Sequence, residues 1–268
     1  MPNIDGLFSG SIPALYERYL ASVLFAPYAL DFATRLAGLQ TGRVLETAAG
    51  TGILTRVLAR TLPAAIEIVA TDLNKAMLDF AAAQPLGRNV RWQQADAQHL
   101  PFADQTFDAV VCQFGIMFLP DKRAGYAEAH RVLKPHGRFV FSIWDRLEDN
   151  EFAHAVSVAV TALFPNDSPA FLARTPYGFH DMDGICEDLR HVGFSAVTIE
   201  QVEVCSRATS PRDVAIGFCQ GTPLGSEIVA GGAQQLGEVT SAVASALATR
   251  FGLGQIEGKM KAHVVSAV

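Results

Sequence analysis

Three acids stand at positions where a chain of this pattern can use them to hold a ligand. Glu46, Asp72 and Asp96 close the runs Arg43-Val44-Leu45-Glu46, Ile66-Glu67-Ile68-Val69-Ala70-Thr71-Asp72 and Val90-Arg91-Trp92-Gln93-Gln94-Ala95-Asp96. Carboxylates accept charge-assisted hydrogen bonds from hydroxyl and amino groups, stronger than those to neutral acceptors. Glu46 is followed by the small-residue stretch Thr47-Ala48-Ala49-Gly50-Thr51-Gly52. Glycines in such a loop let a ligand approach the backbone closely, as a nucleoside cofactor commonly does.

The elements that must position these acids follow from the same runs. Ile53-Leu54-Thr55-Arg56-Val57-Leu58-Ala59 carries apolar residues at helical spacing, so the loop joins a strand to a helix. Strand ends at 46, 72 and 96 are nearly equally spaced, as successive βα units of a parallel sheet require. Asp108-Ala109-Val110-Val111-Cys112 reads as a fourth strand and Phe139-Val140-Phe141-Ser142-Ile143 as a fifth. Asn74 is placed to cap a helix running to about Gln84, and Asp121 to cap another that ends before Pro135. Alternation of this kind predicts an α/β fold, a doubly wound sheet with right-handed crossovers.

With these residues in place, the chain resembles the class I methyltransferases that use S-adenosylmethionine (SAM), and within them the ubiquinone/menaquinone-biosynthesis-like group. Four blocks carry the resemblance: Val44 to Gly52, Val69 to Leu78, Gln94 to Asp108, and Arg131-Val132-Leu133-Lys134-Pro135-His136-Gly137-Arg138-Phe139. The resemblance implies a seven-stranded Rossmann-like sheet, mostly parallel, with an antiparallel last strand and a helical cap. It also implies SAM as cofactor and S-adenosylhomocysteine as its product. Glu46 then faces the amino end of the methionine part, Gly50 and Gly52 give backbone contact, and Asp72 holds the ribose hydroxyls. Asp96 with Ala97 reads adenine, and Leu73 and Met77 flank its face, although Met77 on a helix serves equally as core. Gln113, Phe114 and Tyr19 complete the cofactor set, with ordinary packing an equal reading of Phe114. Ala48 departs from the family, which often has its first glycine there. Alanine fits if that position needs no positive φ, and the expected effect is a slight shift of the loop.

The sulfonium of SAM carries an already activated methyl, so the protein's task is to hold an acceptor in line with it. That chemistry needs neither a metal nor a covalent nucleophile. Tyr16, Trp144, Phe171 and Tyr177 suit an aromatic pocket for a small-molecule acceptor, and His154 and His180 are the candidates for an acceptor-activating base. Residues 1–40 read as a helical lid with a helix over 13–37, 41–145 as the cofactor-binding core, and 146–182 and 207–257 as cap insertions. Residues 183–206 and 258–268 complete the sheet of one methyltransferase domain, with a strand over 196–205, an Ala-rich helix near 233–250 and a last strand from Lys259.

Composition sets bounds on the alternatives. Of 268 residues, 50% are hydrophobic, enough for a large core, and the net charge of -6 argues against a nucleic-acid partner. No stretch reads as a membrane span or a signal segment, so the expected location is cytoplasmic. Cys112, Cys186, Cys205 and Cys219 form no C-x-x-C and indicate no metal site. An NAD-dependent oxidoreductase is the rival enzyme, since Gly50-x-Gly52 with Asp72 imitates its fingerprint. Thr55 stands at the third glycine and counts against it. A SAM-binding regulator or partner subunit without turnover is the rival from another class. No motif specifies the acceptor, the atom methylated or the oligomeric state.

Overall fold

Alternating small apolar runs and capped helices give the βα succession that the sequence predicts. A computed structural model of the chain describes residues 10–232 and 236–268. Helical winding begins with α1 (Ile12–Tyr16), passes through a π-helical stretch, Glu17–Phe25, and continues as α2 (Ala26–Arg35). Then come β1 (Gly42–Glu46), α3 (Ile53–Thr61), β2 (Ile66–Asp72), α4 (Lys75–Ala82), β3 (Arg91–Gln94), β4 (Phe107–Gln113), α5 (Lys122–Val132) and β5 (Leu133–Trp144). The remainder is α6 (Glu151–Leu163), α7 (Phe171–Arg174), α8 (Met182–His191), β6 (Val197–Ala208), α9 (Pro211–Gln220), α10 (Leu224–Ala230), α11 (Leu236–Phe251) and β7 (Ile256–Ala267).

The seven strands form one sheet in the order β3-β2-β1-β4-β5-β7-β6. β1 pairs in parallel with both β2 and β4, and β4 with β5. β7 and β6 pair antiparallel, closed at one end by the mutual amide bonds of Ala196 and Val268. Strand order reverses between β1 and β4, and ligands of open α/β sheets bind at the carboxyl ends flanking such a switch.

The chain divides into two compact units. One comprises the residues up to Phe25, Trp144–Phe179 and Glu203–Ala262; the other comprises Ala26–Ile143, His180–Val202 and His263–Val268. In the second unit, period-two alternation builds two cores. Val44, Ile68, Val111 and Val140 join Phe32 and Leu36 of the α2 segment and Leu54 and Leu58 of α3 in one buried apolar cluster. Phe139 and Phe141, on either side of Val140 in sequence, share the Tyr126 ring of α5, which stacks on Phe141 at 5.5 Å and meets Phe139 edge-on at 6.3 Å, and Phe194 after α8 stacks on Phe139 at 5.9 Å. Each such buried side chain contributes about 1.5–3 kcal/mol.

The first unit is helical around α6, α9 and α11. Val239, Val243 and Leu247 recur at four-residue spacing on the buried face of α11, and Phe152 meets Phe251 edge-on at 5.1 Å. Gly217 of α9 has no Cβ because one would lie 2.6 Å from Leu20 Cδ2.

Local signals place most boundaries. Asn74 Oδ1 accepts the amides of Ala76 and Met77, Asp121 that of Ala124, and Ser210 that of Asp213. Several expectations need correction. β3 ends at Gln94, so Asp96 lies beyond the strand, where its carboxylate accepts the Gln98 amide at 2.9 Å and turns the chain. The leading helix is interrupted by the π-helical stretch, and α10 is a helix that no capping signal announced. Residues 233–235 of the expected Ala-rich helix lie outside the described residues, and α11 is described from Leu236. No helix among the described residues is long and apolar enough to cross a membrane.

Candidate functional site

The site is assembled at the carboxyl ends of β1, β2 and β4. β1 ends at Glu46, in register with Ala70 of β2 and Val111 of β4, and the Thr47 amide extends the ladder to Val111 O at 2.9 Å. The loop then crosses toward β2: Ala49 N donates to Thr71 O at 2.9 Å and Gly50 N to Asp72 Oδ2 at 2.8 Å. Asp72 Oδ1 accepts the Asn74 amide at 2.7 Å. Each Asp72 oxygen thus carries one backbone hydrogen bond and keeps acceptor capacity for another. Burial raises the carboxyl above its ordinary range, opposed by these two amides.

Loop conformation explains the residue types. Ala48, Gly50 and Gly52 take φ of +51°, +57° and +82°. A Cβ on Gly52 would press to 3.1 Å on both Ala81 and the Trp92 ring, whereas one on Gly50 would meet nothing within 4 Å. The left-handed φ of Ala48 corrects the expectation for this position. Alanine occupies a conformation that favours glycine, so the departure from the family is borne as local backbone strain.

Glu46 is 1% exposed. Burial pushes its carboxyl up to about 8, the Thr55 hydroxyl opposes this by donating to Oε2 at 2.6 Å, and the Asp72 charge adds to the rise. Thr55 projects from α3 one helical turn past the loop. The residue that breaks the dinucleotide fingerprint is therefore the one that hydrogen-bonds the strand-end acid.

Thr51 Oγ1 is buried in the loop with no hydrogen-bond partner in the structure, a group a ligand can satisfy. Leu73, beside Asp72, is 64% exposed, and Met77 is buried on α4. The segment carrying Asp96 and Ala97 is fixed from α5. Arg131 donates to Leu100 O, Phe102 O and Asp104, and pairs with Glu128, whose carboxylate accepts the Leu100 amide at 2.6 Å. Asp96 also lies 3.6 Å from His99 Nδ1. Gln113 ends β4. Phe114 follows with φ +53°, donates its amide to Ser142 O, and meets Tyr28 edge-on at 5.1 Å. An open Gly50, an orphaned Thr51 hydroxyl, a diol-competent Asp72 and an exposed apolar Leu73 fit an adenosine-bearing cofactor.

The second unit therefore gathers Glu46, Ala48, Gly50, Gly52, Asp72, Leu73, Met77, Asp96, Ala97, Gln113 and Phe114, and it also contains His180. The first unit holds Tyr16, Tyr19, Trp144, His154, Phe171 and Tyr177. Within it, rings run in series: Tyr16 stacks on Phe25 at 5.2 Å, Phe25 lies 6.1 Å from Trp144, and Trp144 lies 5.6 Å from Tyr177. Phe171 is buried at the start of α7, where Glu227 accepts its amide at 2.9 Å. His154 is half-buried on α6. Sequence reasoning missed Thr55, Thr51 and Phe25. For Thr55, a hydroxyl at helical spacing behind a strand-end acid was the available signal.

Comparison with known proteins agrees with this fold. A family described as a methyltransferase domain matches residues 45–141. The ubiquinone/menaquinone biosynthesis C-methyltransferase UbiE of Stutzerimonas stutzeri is 31% identical over 209 residues, which are 73% of this chain and 77% of that protein. Among solved structures, the YcgJ protein of Bacillus subtilis is similar with a TM-score of 0.57 at 20% identity, covering 90% of this chain and 97% of that one. A Haemonchus contortus phosphoethanolamine N-methyltransferase in complex with S-adenosylhomocysteine and phosphomonomethylethanolamine gives 0.60 at 17% identity, covering 100% of this chain and 60% of that one. At these identities the structures speak to the fold alone.

Proposed function

The chain belongs to the class I SAM-dependent methyltransferases of the UbiE-like group, and from that premise we propose that it methylates a small organic acceptor by direct in-line displacement. The observation that carries the reading is Asp72, whose two oxygens are each fixed by one backbone amide and can each accept a hydroxyl of a vicinal diol. SAM, when bound, supplies a methyl on a sulfonium that needs no further activation. The protein's own residues bind, orient and exclude water. Asp72 takes the ribose, Glu46 the amino end of the methionine part, and Asp96 with Ala97 the adenine edge. Leu73 and Met77 cover its face. Gln113 and Phe114 are assigned to the pocket at the end of β4, and Tyr19 completes the cofactor set.

Acceptor recognition is assigned to the aromatic residues Tyr16, Trp144, Phe171 and Tyr177, with His154 and His180 as the groups to test for proton removal. The names of the curated relatives specify carbon methylation in ubiquinone and menaquinone biosynthesis, which makes an electron-rich aromatic ring the first acceptor to try. Alignment of such an acceptor supplies about 7–11 kcal/mol of barrier reduction in favourable cases.

Calorimetric titration with SAM, S-adenosylhomocysteine and NAD in one buffer tests the cofactor set. Micromolar binding of the first two, about -8 kcal/mol, without NAD is the expected result. Incubation with SAM and hydroxylated or quinol-type aromatics should then yield a product heavier by one methylene. Cofactor binding with no methylated product from any small acceptor would remove the acceptor class.

A further inference from the structure

Gly115 opens the short 3-10 turn after β4, with φ -104° and ψ -31°, angles that any residue adopts. Backbone conformation therefore does not call for glycine there; space does. A Cβ at 115 would come closer than 3.0 Å to the Ala48 Cβ and lie 2.7 Å from Cys112 Sγ. The neighbouring backbone is poorly placed to give way. Phe114 already holds a left-handed φ of +53°, its amide is shared between Ser142 O at 3.2 Å and Ser142 Oγ at 3.1 Å, and its ring is braced edge-on by Tyr28.

On the other side, the loop containing Ala48 is pinned at both ends. Thr47 N donates to Val111 O, Ala49 N to Thr71 O, and Gly50 N to Asp72 Oδ2. An alanine with φ +51° cannot rotate its Cβ elsewhere without breaking these bonds. We propose that Gly115 is a positioning residue for the cofactor loop: its missing side chain is the space that admits alanine at position 48, so the segment after β4 sets where Gly50 and Asp72 meet. The departure from the family's first glycine and the glycine after β4 form one size-complementary pair. Residue 48 and residue 115 are then coupled although 67 positions separate them.

This rests on the SAM assignment, and the unmodified protein's binding of S-adenosylhomocysteine tests that assignment separately. The experiment is a mutant cycle in a Cys112→Ala background, which removes the second obstacle to a Cβ at 115. Affinity for S-adenosylhomocysteine is read by calorimetry and folding by circular dichroism. Adding Gly115→Ala should weaken binding by about tenfold or more, and adding Ala48→Gly as well should restore it to within about threefold of the background. Additive effects, with no recovery on Ala48→Gly, would overturn the proposal, as would full affinity in Cys112→Ala/Gly115→Ala. If that variant does not fold, a folded, binding triple variant supports the pairing, and an unfolded triple variant overturns it.

Discussion

The region around Glu46 and Asp72 and the ring series Tyr16, Phe25, Trp144 and Tyr177 are built on opposite principles. In the first, the loop after β1 and the cap of α4 deliver backbone amides to a strand-end carboxylate: Gly50 and Asn74 on Asp72, with the Thr55 hydroxyl on Glu46. In the second, rings meet at 5.2–6.1 Å and the contacts are dispersion and stacking. Hydrogen bonds to charged groups are directional and fix positions closely, which suits a ligand of constant structure. The ring series, with one contact stacked and two tilted, rests on apolar burial.

The sharpest way to break this contrast is Asp72→Ala. It should cost about 100-fold or more in S-adenosylhomocysteine affinity with far-ultraviolet circular dichroism preserved, since charged hydrogen bonds are each worth about 1.5–3 kcal/mol. Unchanged affinity would remove the ribose assignment. Thr55→Val comes next, at about tenfold, because it strips the buried Glu46 carboxyl of its donor and drives it further toward the protonated form.

That pair also sets a pH dependence. The folded Glu46 keeps its proton up to about 8, whereas the unfolded chain loses it above the ordinary value of 4.5. Raising pH through this window therefore destabilises the ligand-free protein. If a ligand ammonium selects the ionised form, affinity rises over the same window and one proton is released per ligand bound. Calorimetry in buffers of different ionisation enthalpy measures that proton, and Glu46→Gln should abolish its release. A proton count of zero in the unmodified protein near pH 7 would place the ligand amine elsewhere.

The smallest effect belongs to the ring series. Tyr177→Leu should raise the acceptor KM about fivefold while cofactor affinity stays within about twofold, on the scale of one lost aromatic pair. Equal loss in both would mean that the rings do not act on the acceptor alone.

Elements whose causes are local are legible in the sequence. The caps Asn74, Asp121 and Ser210 act within three residues, and the alternation in Phe139-Val140-Phe141 is visible in the residues themselves. Asp96 reads as a strand-end acid in the sequence because a strand-like run does not reveal that the acid closing it will accept the Gln98 amide and turn the chain. The series from Tyr16 to Tyr177 is legible in the sequence only as separate aromatics, since its two parts, Tyr16 with Phe25 and Trp144 with Tyr177, lie more than a hundred residues apart.

By itself, the sequence determined that a glycine-rich turn would follow an acid-ended strand in a βα sheet, because periodicity, capping and glycine's freedom are properties of neighbouring residues. Only the tertiary structure decided that Thr55 faces Glu46, that Ala48 takes a left-handed φ, and that Gly115 leaves room for its Cβ. These depend on which strand ends and loops pack together, and close packing between distant segments is settled when the whole sheet has formed.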